Sequence, residues 1–256
     1  MEMGRVKAIV TGGASGLGEA TVRRIVERGG RATIFDLNGK KAVKLIEELG
    51  EESVFYVETD VADAAQVEQN TAAAVERFGS VNLVVNCAGV GTPGKVVSKG
   101  EPQPLDQFEK VIRINLTGSF NVLRVAAAAM QKNEPNDNGE RGVIISTASV
   151  AAYEGQIGQA AYSASKGGIV SMTLPVAREF ARDGIRVMAI APGLMKTPMF
   201  DGLPEAAVKS LESSVPFPAR LGYPAEYAQL VESIVENPML NGETIRLDGA
   251  IRMQPK

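Results

Sequence analysis

Short β-branched apolar runs alternate with helical patterns along this chain, and that alternation restricts the fold more than any other feature. Val6–Val10, Ala32–Phe35, Val54–Glu58, Val81–Val85, Gly142–Ile145, Arg186–Ile190 and Glu243–Leu247 read as strands. Between them, Gly16–Arg28, Lys40–Leu49, Ala64–Phe78, Phe108–Met130 and Tyr162–Ala181 carry apolar residues at helical spacing. Strands that are apolar throughout need cover on both faces, and a helix between successive strands supplies it. The expected fold is α/β, a doubly wound parallel sheet of about seven strands with helices on both faces. The chain has 256 residues, 45% of them apolar, which suits one domain with a sizeable core. It shows no linker, repeat or low-complexity segment. Two loops stand out: Gly91–Pro104 follows the fourth strand and is a candidate substrate-facing loop, and Asn133–Arg141 reads as a solvated turn at the other edge of the sheet.

Composition removes several kinds of chemistry. There is no histidine and one cysteine, Cys87, so Ser-His-Asp and Cys-His catalysis, His- or thiolate-held metals and intrachain disulfides are all excluded. Acid–base work falls to Tyr, Lys, Asp or Glu. Cys87 reads as a small buried hydrophobe. A net charge of −3 offers no footprint for nucleic acid. The Arg23, Arg24, Arg28 and Arg31 cluster is interleaved with Glu19 and Glu27 and reads as a solvated helix face. No apolar run is long enough for a membrane span. The amino-terminal residues run directly into the first strand, so no targeting segment is expected and the cytoplasm is the expected location, with the mitochondrial matrix as the alternative.

Thr11-Gly12-Gly13-Ala14-Ser15-Gly16-Leu17-Gly18 sits between the first strand and the first helix. Glycines there allow a tight turn and close approach of backbone, and the helix N-terminus then faces a pyrophosphate. Asp36 ends the second strand, where a carboxylate binds the ribose hydroxyls of NAD and repels a 2′-phosphate. Leu37 and Asn38 follow it, with no adjacent cation, so NAD is expected over NADP. Asp60-Val61 at the end of the third strand is placed to meet the adenine edge. Asn86-Cys87-Ala88-Gly89 at the end of the fourth lets a flat ring approach the backbone.

Tyr162 and Lys166 lie one helical turn apart, so the ammonium can stand beside the phenol. A fixed cation favours phenolate, and a pKa lowered from about 10 makes tyrosine a usable base. Ser149, upstream, adds a hydroxyl able to polarise a carbonyl. The trio points to proton transfer at a C–OH or C=O carbon.

Taken together, Thr-Gly-x-x-x-Gly-x-Gly at 11–18, Asn-x-Ala-Gly at 86–89, Asn115, Ser149, Tyr-x-x-x-Lys at 162–166 and Pro192-Gly193 resemble the short-chain dehydrogenase/reductase family over essentially the whole chain. The resemblance implies a Rossmann-type fold, with a cofactor half at about 1–150 and a catalytic and substrate half at about 142–256. It implies Tyr162 as general acid/base, Lys166 on the nicotinamide ribose, Ser149 on the substrate oxygen, and Asn115 ordering a proton-relay water. It implies cofactor contacts from Gly12, Ser15, Gly16, Leu17, Gly18, Asp60, Val61, Asn86, Cys87, Ala88, Gly89, Pro192, Gly193, Met195 and Thr197. Gln156 is a candidate for positioning the substrate. Residues 195–214 are the expected lid, with Met199, Phe200, Leu203, Val208 and Leu211 as its apolar cover. A homotetramer is implied by family habit, with Ala126–Ala129 as a small-residue helix face.

Segments 142–155, 158–174, 215–221 and 237–253 narrow the resemblance to family members acting on 3-hydroxyacyl-CoA thioesters. The expected activity is NAD-dependent interconversion of (S)-3-hydroxyacyl-CoA and 3-oxoacyl-CoA in fatty-acid or branched-chain oxidation. A hydroxysteroid or another small alcohol is the alternative substrate, and a non-catalytic binding subunit is the alternative of another class. Lys95, Lys99 and Lys209 are candidate CoA contacts, although solvated lysines would look the same.

Overall fold

The computed structural model describes residues 1–198 and 204–255. Strands β1 (Lys7–Thr11), β2 (Arg31–Asp36), β3 (Val54–Glu58) and β4 (Leu83–Asn86) form one half of a sheet. Two short strands, β5 (Val97–Ser98) and β6 (Glu101–Pro102), pair with each other outside it. The main sheet resumes with β7 (Gly142–Thr147), β8 (Ile185–Pro192) and β9 (Thr244–Leu247). Its order is β3-β2-β1-β4-β7-β8-β9, and every neighbouring pair is parallel. The order reverses between β1 and β4, which opens a crevice at the carboxyl ends of those strands.

The strands are covered as their composition requires. On one face, Val22 and Ile25 of α1 (Gly16–Glu27), Ala42 and Leu45 of α2 (Gly39–Leu49) and Tyr227, Val231 and Ile234 of a late helix pack on Ala8, Val10, Ile34, Val85 and Ile145. On the other face, Val67 and Ala74 of α3 (Ala64–Phe78) and Val176 of the long helix after β7 pack on Ile9, Val84, Ile144 and Val187. Successive strand residues therefore alternate between two cores.

The helical pattern expected over 108–130 resolves into α4 (Leu105–Ile112), a π-helical turn at Arg113–Thr117, and α5 (Gly118–Met130). The wide turn carries Asn115, and Gly118 follows it because a Cβ there would lie 2.6 Å from Val61 Cγ2. Ala126 and Ala127 are buried in the chain's own core, so those two alanines are not an available contact face. The long helix α6 (Ala160–Phe180) starts just before Tyr162. α7 (Glu205–Ser213) lies in the expected lid, whose residues Met199, Phe200 and Leu203 fall outside the described residues. The late helix, α8 (Pro224–Glu236), was not expected from the sequence. Among the described residues, no helix is long and apolar enough to cross a membrane.

Candidate active site

The turn between β1 and α1 is shaped by its glycines. Gly12 has φ +62°, and a Cβ there would sit 3.0 Å from the Ala88 backbone. A Cβ on Gly18 would collide with the Gly12 carbonyl oxygen, so α1 starts as close to its own turn as a backbone can. Asp36 faces this turn. Its carboxylate accepts Ala14 N–H at 3.0 Å and Asn38 N–H at 2.9 Å, which holds it at the crevice edge. The Asp60 carboxylate accepts from Ala62 N–H at 2.9 Å. A cavity of about 600 Å³ runs along these strand ends. Its lining includes Gly12, Ser15, Gly16, Leu17, Gly18, Asp36, Asp60, Val61, Cys87, Ala88, Gly89, Tyr162, Lys166 and Thr197. The narrow glycine turn, the carboxylate at the end of β2 and the small residues after β4 fit a dinucleotide. Lys166 is the one basic side chain on that lining among the described residues.

Asn86 is placed differently from the expectation. It is buried within the sheet, its Nδ2 directed to Ser146 Oγ at 3.3 Å and Ser119 O at 3.4 Å. It therefore stands behind the crevice wall, because the alternation of β4 turns Asn86 inward.

Asn115, Ser149, Tyr162 and Lys166 converge where β4, β7 and α6 meet. Asn115 is fully buried. Its Oδ1 accepts from Val90 N–H at 2.8 Å, and its Nδ2 donates to Val90 O at 2.9 Å and Ser165 Oγ at 3.1 Å. Asn115 thus ties the chain after β4 to α6. A Cβ on Gly89 would lie 3.2 Å from Asn115 Oδ1 and 3.7 Å from Lys166 Nζ, so glycine leaves the space between them open. Lys166 is buried and donates to Thr147 O at 2.6 Å. Burial pushes its pKa down from 10.5 to about 8.

Burial pushes the Tyr162 phenol up, and a hydrogen bond with Ser149 offsets part of that rise. Lys166 does not by itself bring the phenol below its ordinary value. The Lys166 ammonium sits 5.8 Å from the Tyr162 ring centroid and donates one of its hydrogen bonds to Thr147 O. Burial also pushes the thiol of Cys87 up, which leaves little thiolate on the cavity wall.

A second cavity, of about 400 Å³, adjoins the first. Leu17, Thr147, Tyr162 and Thr197 line both, so the phenol stands at their junction. Ser149, Val150, Gln159, Pro192, Gly193, Leu194 and Met195 continue the second cavity, with Gly91, Thr92 and Pro93 of the loop expected to face substrate. Pro192, Gly193 and Met195 thus lie on the second cavity and not on the dinucleotide cavity.

Gln156 is not on the lining. Its Nε2 donates to Gln254 O at 3.0 Å, and Gln159 takes the position expected of it. Thr147, Gln159 and Met253 are lining residues that sequence reasoning missed. Only the backbone path places them here. A larger cavity of about 730 Å³ opens at the opposite end of the sheet, between Met1, Asn82 and Asn133, and holds none of these residues. Among the described residues no acidic or thiol cluster suits a metal.

This arrangement sets a buried phenol beside a crevice whose lining fits a dinucleotide. A family model for short chain dehydrogenases matches residues 6–207, and the chain belongs to that family. It is an oxidoreductase, of a family that uses nicotinamide dinucleotides. More particularly, it is 55% identical to the human protein named 3-hydroxyacyl-CoA dehydrogenase type-2 over 97% of this chain and 95% of that one. The protein of that name from Drosophila melanogaster is 51% identical, over 97% of this chain and 98% of its own. The crystal structure of 3-hydroxyacyl-CoA dehydrogenase type-2 from Mycobacterium avium superposes with a TM-score of 0.93 at 42% identity, covering 100% of this chain and 98% of that one.

Proposed function

We propose that this protein is an NAD-dependent 3-hydroxyacyl-CoA dehydrogenase, interconverting (S)-3-hydroxyacyl-CoA and 3-oxoacyl-CoA. The observation that carries this is Tyr162 at the junction of a dinucleotide-shaped crevice and a mainly apolar cavity. The names of its relatives supply the thioester. Asp36, with no cation on the crevice lining other than Lys166 among the described residues, favours NAD over NADP.

In this reading the Gly12–Gly18 turn holds the pyrophosphate, Asp36 the adenosine ribose, Asp60 and Val61 the adenine edge, and Thr197 and Lys166 the nicotinamide end. The bound nicotinamide supplies or accepts the hydride. Ser149, on the same cavity lining as Tyr162, holds the substrate oxygen. Tyr162 takes the hydroxyl proton during oxidation and returns it during reduction. Lys166, with a pKa near 8, would release its own proton toward solvent and take up the one that Tyr162 carries. Asn115 holds the β4–α6 junction so that Lys166 and Tyr162 keep their spacing.

Residues 195–214 act as the lid. A homotetramer and a cytoplasmic location belong to the same proposal. Exposed Leu105, Phe120 and Leu174 on α4, α5 and α6 offer apolar surface for assembly, and sedimentation tests it.

The chemistry is tested with Tyr162→Phe in the oxidative direction, using 3-hydroxybutyryl-CoA and NAD. Turnover should fall by about 10²- to 10⁴-fold while NADH binding is retained. Retained turnover would remove Tyr162 from the proton transfer and the reading with it.

A further inference from the structure

The segment after β9 folds back across the substrate cavity. Asp248 Oδ1 accepts from Ala250 N–H at 3.0 Å, Ala250 takes φ +67°, and the chain reverses. Ile251 is then buried, and Met253 reaches the 400 Å³ cavity. Two hydrogen bonds fasten the chain beyond Met253 to the loop ahead of α6. Gln156 Nε2 donates to Gln254 O, and Ile157 N–H to Pro255 O, both at 3.0 Å.

A charge cluster locks the same two segments. Arg246 on β9 makes a two-pronged pair with Glu154, at 2.7 and 2.9 Å. The same guanidinium donates to Asp248 at 2.7 Å and to Ile251 O at 3.1 Å. Arg252 adds contacts to Asp248 at 3.3 Å and Glu154 at 3.4 Å. Arg246 holds the Glu154 carboxyl below the usual carboxylate range, so the pair is charged at neutral pH. A planar guanidinium gripping a carboxylate through two bonds fixes direction as well as distance. Glu154 lies on the loop that leads to Tyr162, so strap and catalytic helix share one anchor.

We propose that Met253 is a specificity-determining wall of the substrate cavity, held in place by a strap that Arg246 and Glu154 lock. This deepens the acyl-CoA reading and rests on it. The cavity wall is apolar at Pro93, Ala148, Val150, Leu194 and Met195, and Met253 continues it with a long unbranched side chain. Acyl chains meet that wall, and its volume sets how much chain fits.

The test compares wild type, Met253→Ala, Met253→Phe and Glu154→Gln as full chains, with melting temperatures recorded. Each is assayed for reduction of acetoacetyl-CoA and 3-oxooctanoyl-CoA, and calorimetry gives the Kd of both thioesters. Met253→Ala should raise the long-to-short ratio of kcat/KM by about tenfold, and Met253→Phe should lower it by about tenfold. The Kd ratios should move the same way, and NADH affinity should stay constant. Glu154→Gln should blunt discrimination through KM with little change in kcat, which general loosening of the fold would not do. Folded Met253 variants with the wild-type ratio overturn the proposal. A wild type that turns over neither thioester overturns the acyl-CoA reading instead. The same variants then face ketones of graded size that the wild type reduces, and an unmoved ranking overturns the role of Met253.

Discussion

Replacing Lys166 with methionine should abolish activity and stabilise the fold. The side chain is buried, and its ammonium has one protein hydrogen bond, to Thr147 O at 2.6 Å. Its pKa stands at about 8 in the folded protein against 10.5 in the open. At about 1.4 kcal/mol per pKa unit, holding the charged form costs the folded state about 3 kcal/mol at pH 7. The sign is set by proton counts. Below pH 8 both states hold the proton, and the cost is present in full. Between about pH 8 and 10.5 the unfolded chain binds more protons than the folded one, so stability from this group rises with pH. By pH 10 the cost is below about 1 kcal/mol.

Methionine removes the charge and leaves the Thr147 carbonyl without its donor, a loss of about 1 kcal/mol. The net gain at pH 7 is then about 2 kcal/mol, and the advantage over wild type should vanish by pH 10. Urea unfolding of both proteins without cofactor, at one protein concentration and several pH values, reads this directly. A difference that is flat across that range, or a variant less stable at pH 7, would refute the reasoning.

Gly18→Ala should abolish NADH binding and lower stability by about 1–3 kcal/mol, because its methyl meets the Gly12 carbonyl; calorimetry and urea unfolding check both. Asp36→Ala should weaken NADH binding by about tenfold to a hundredfold and NADPH binding much less, as read by fluorescence titration of each. Cys87 should react much more slowly with a thiol-reactive disulfide in the native protein at pH 8 than in denaturant, since its raised pKa leaves little thiolate at the cavity wall.

The sheet was legible because β-branched runs declare themselves wherever both faces are covered, as in Ile144 and Ile145 or Val187 and Ile190. α8 carried the signals of a helix, with Pro224 in its first turn, Glu226 accepting from Tyr223 N–H, and Tyr227, Val231 and Ile234 on one face. The π turn at Asn115 was not legible, since a single wide turn inside a long helical pattern has no residue signature of its own. The glycine turn, Asp36, Tyr162 and Lys166 could be read because each chemistry demands a residue type at a fixed offset. Gln159 and Met253 could not, because they reach the cavity through a loop and a strap whose paths depend on long-range pairs such as Arg246 with Glu154. The state of Tyr162 was also out of reach, because how deeply the phenol is buried depends on the packing around it and not on the spacing of the motif.

The most direct test of the central claim is the initial rate of NADH oxidation by the purified protein, with acetoacetyl-CoA set against a 17-ketosteroid and a small aliphatic ketone at equal concentration. The account predicts that kcat/KM for the thioester exceeds both others by at least about a hundredfold, since binding at a remote CoA moiety lowers the barrier at the carbonyl. A steroid or simple ketone turned over faster than the thioester would contradict it.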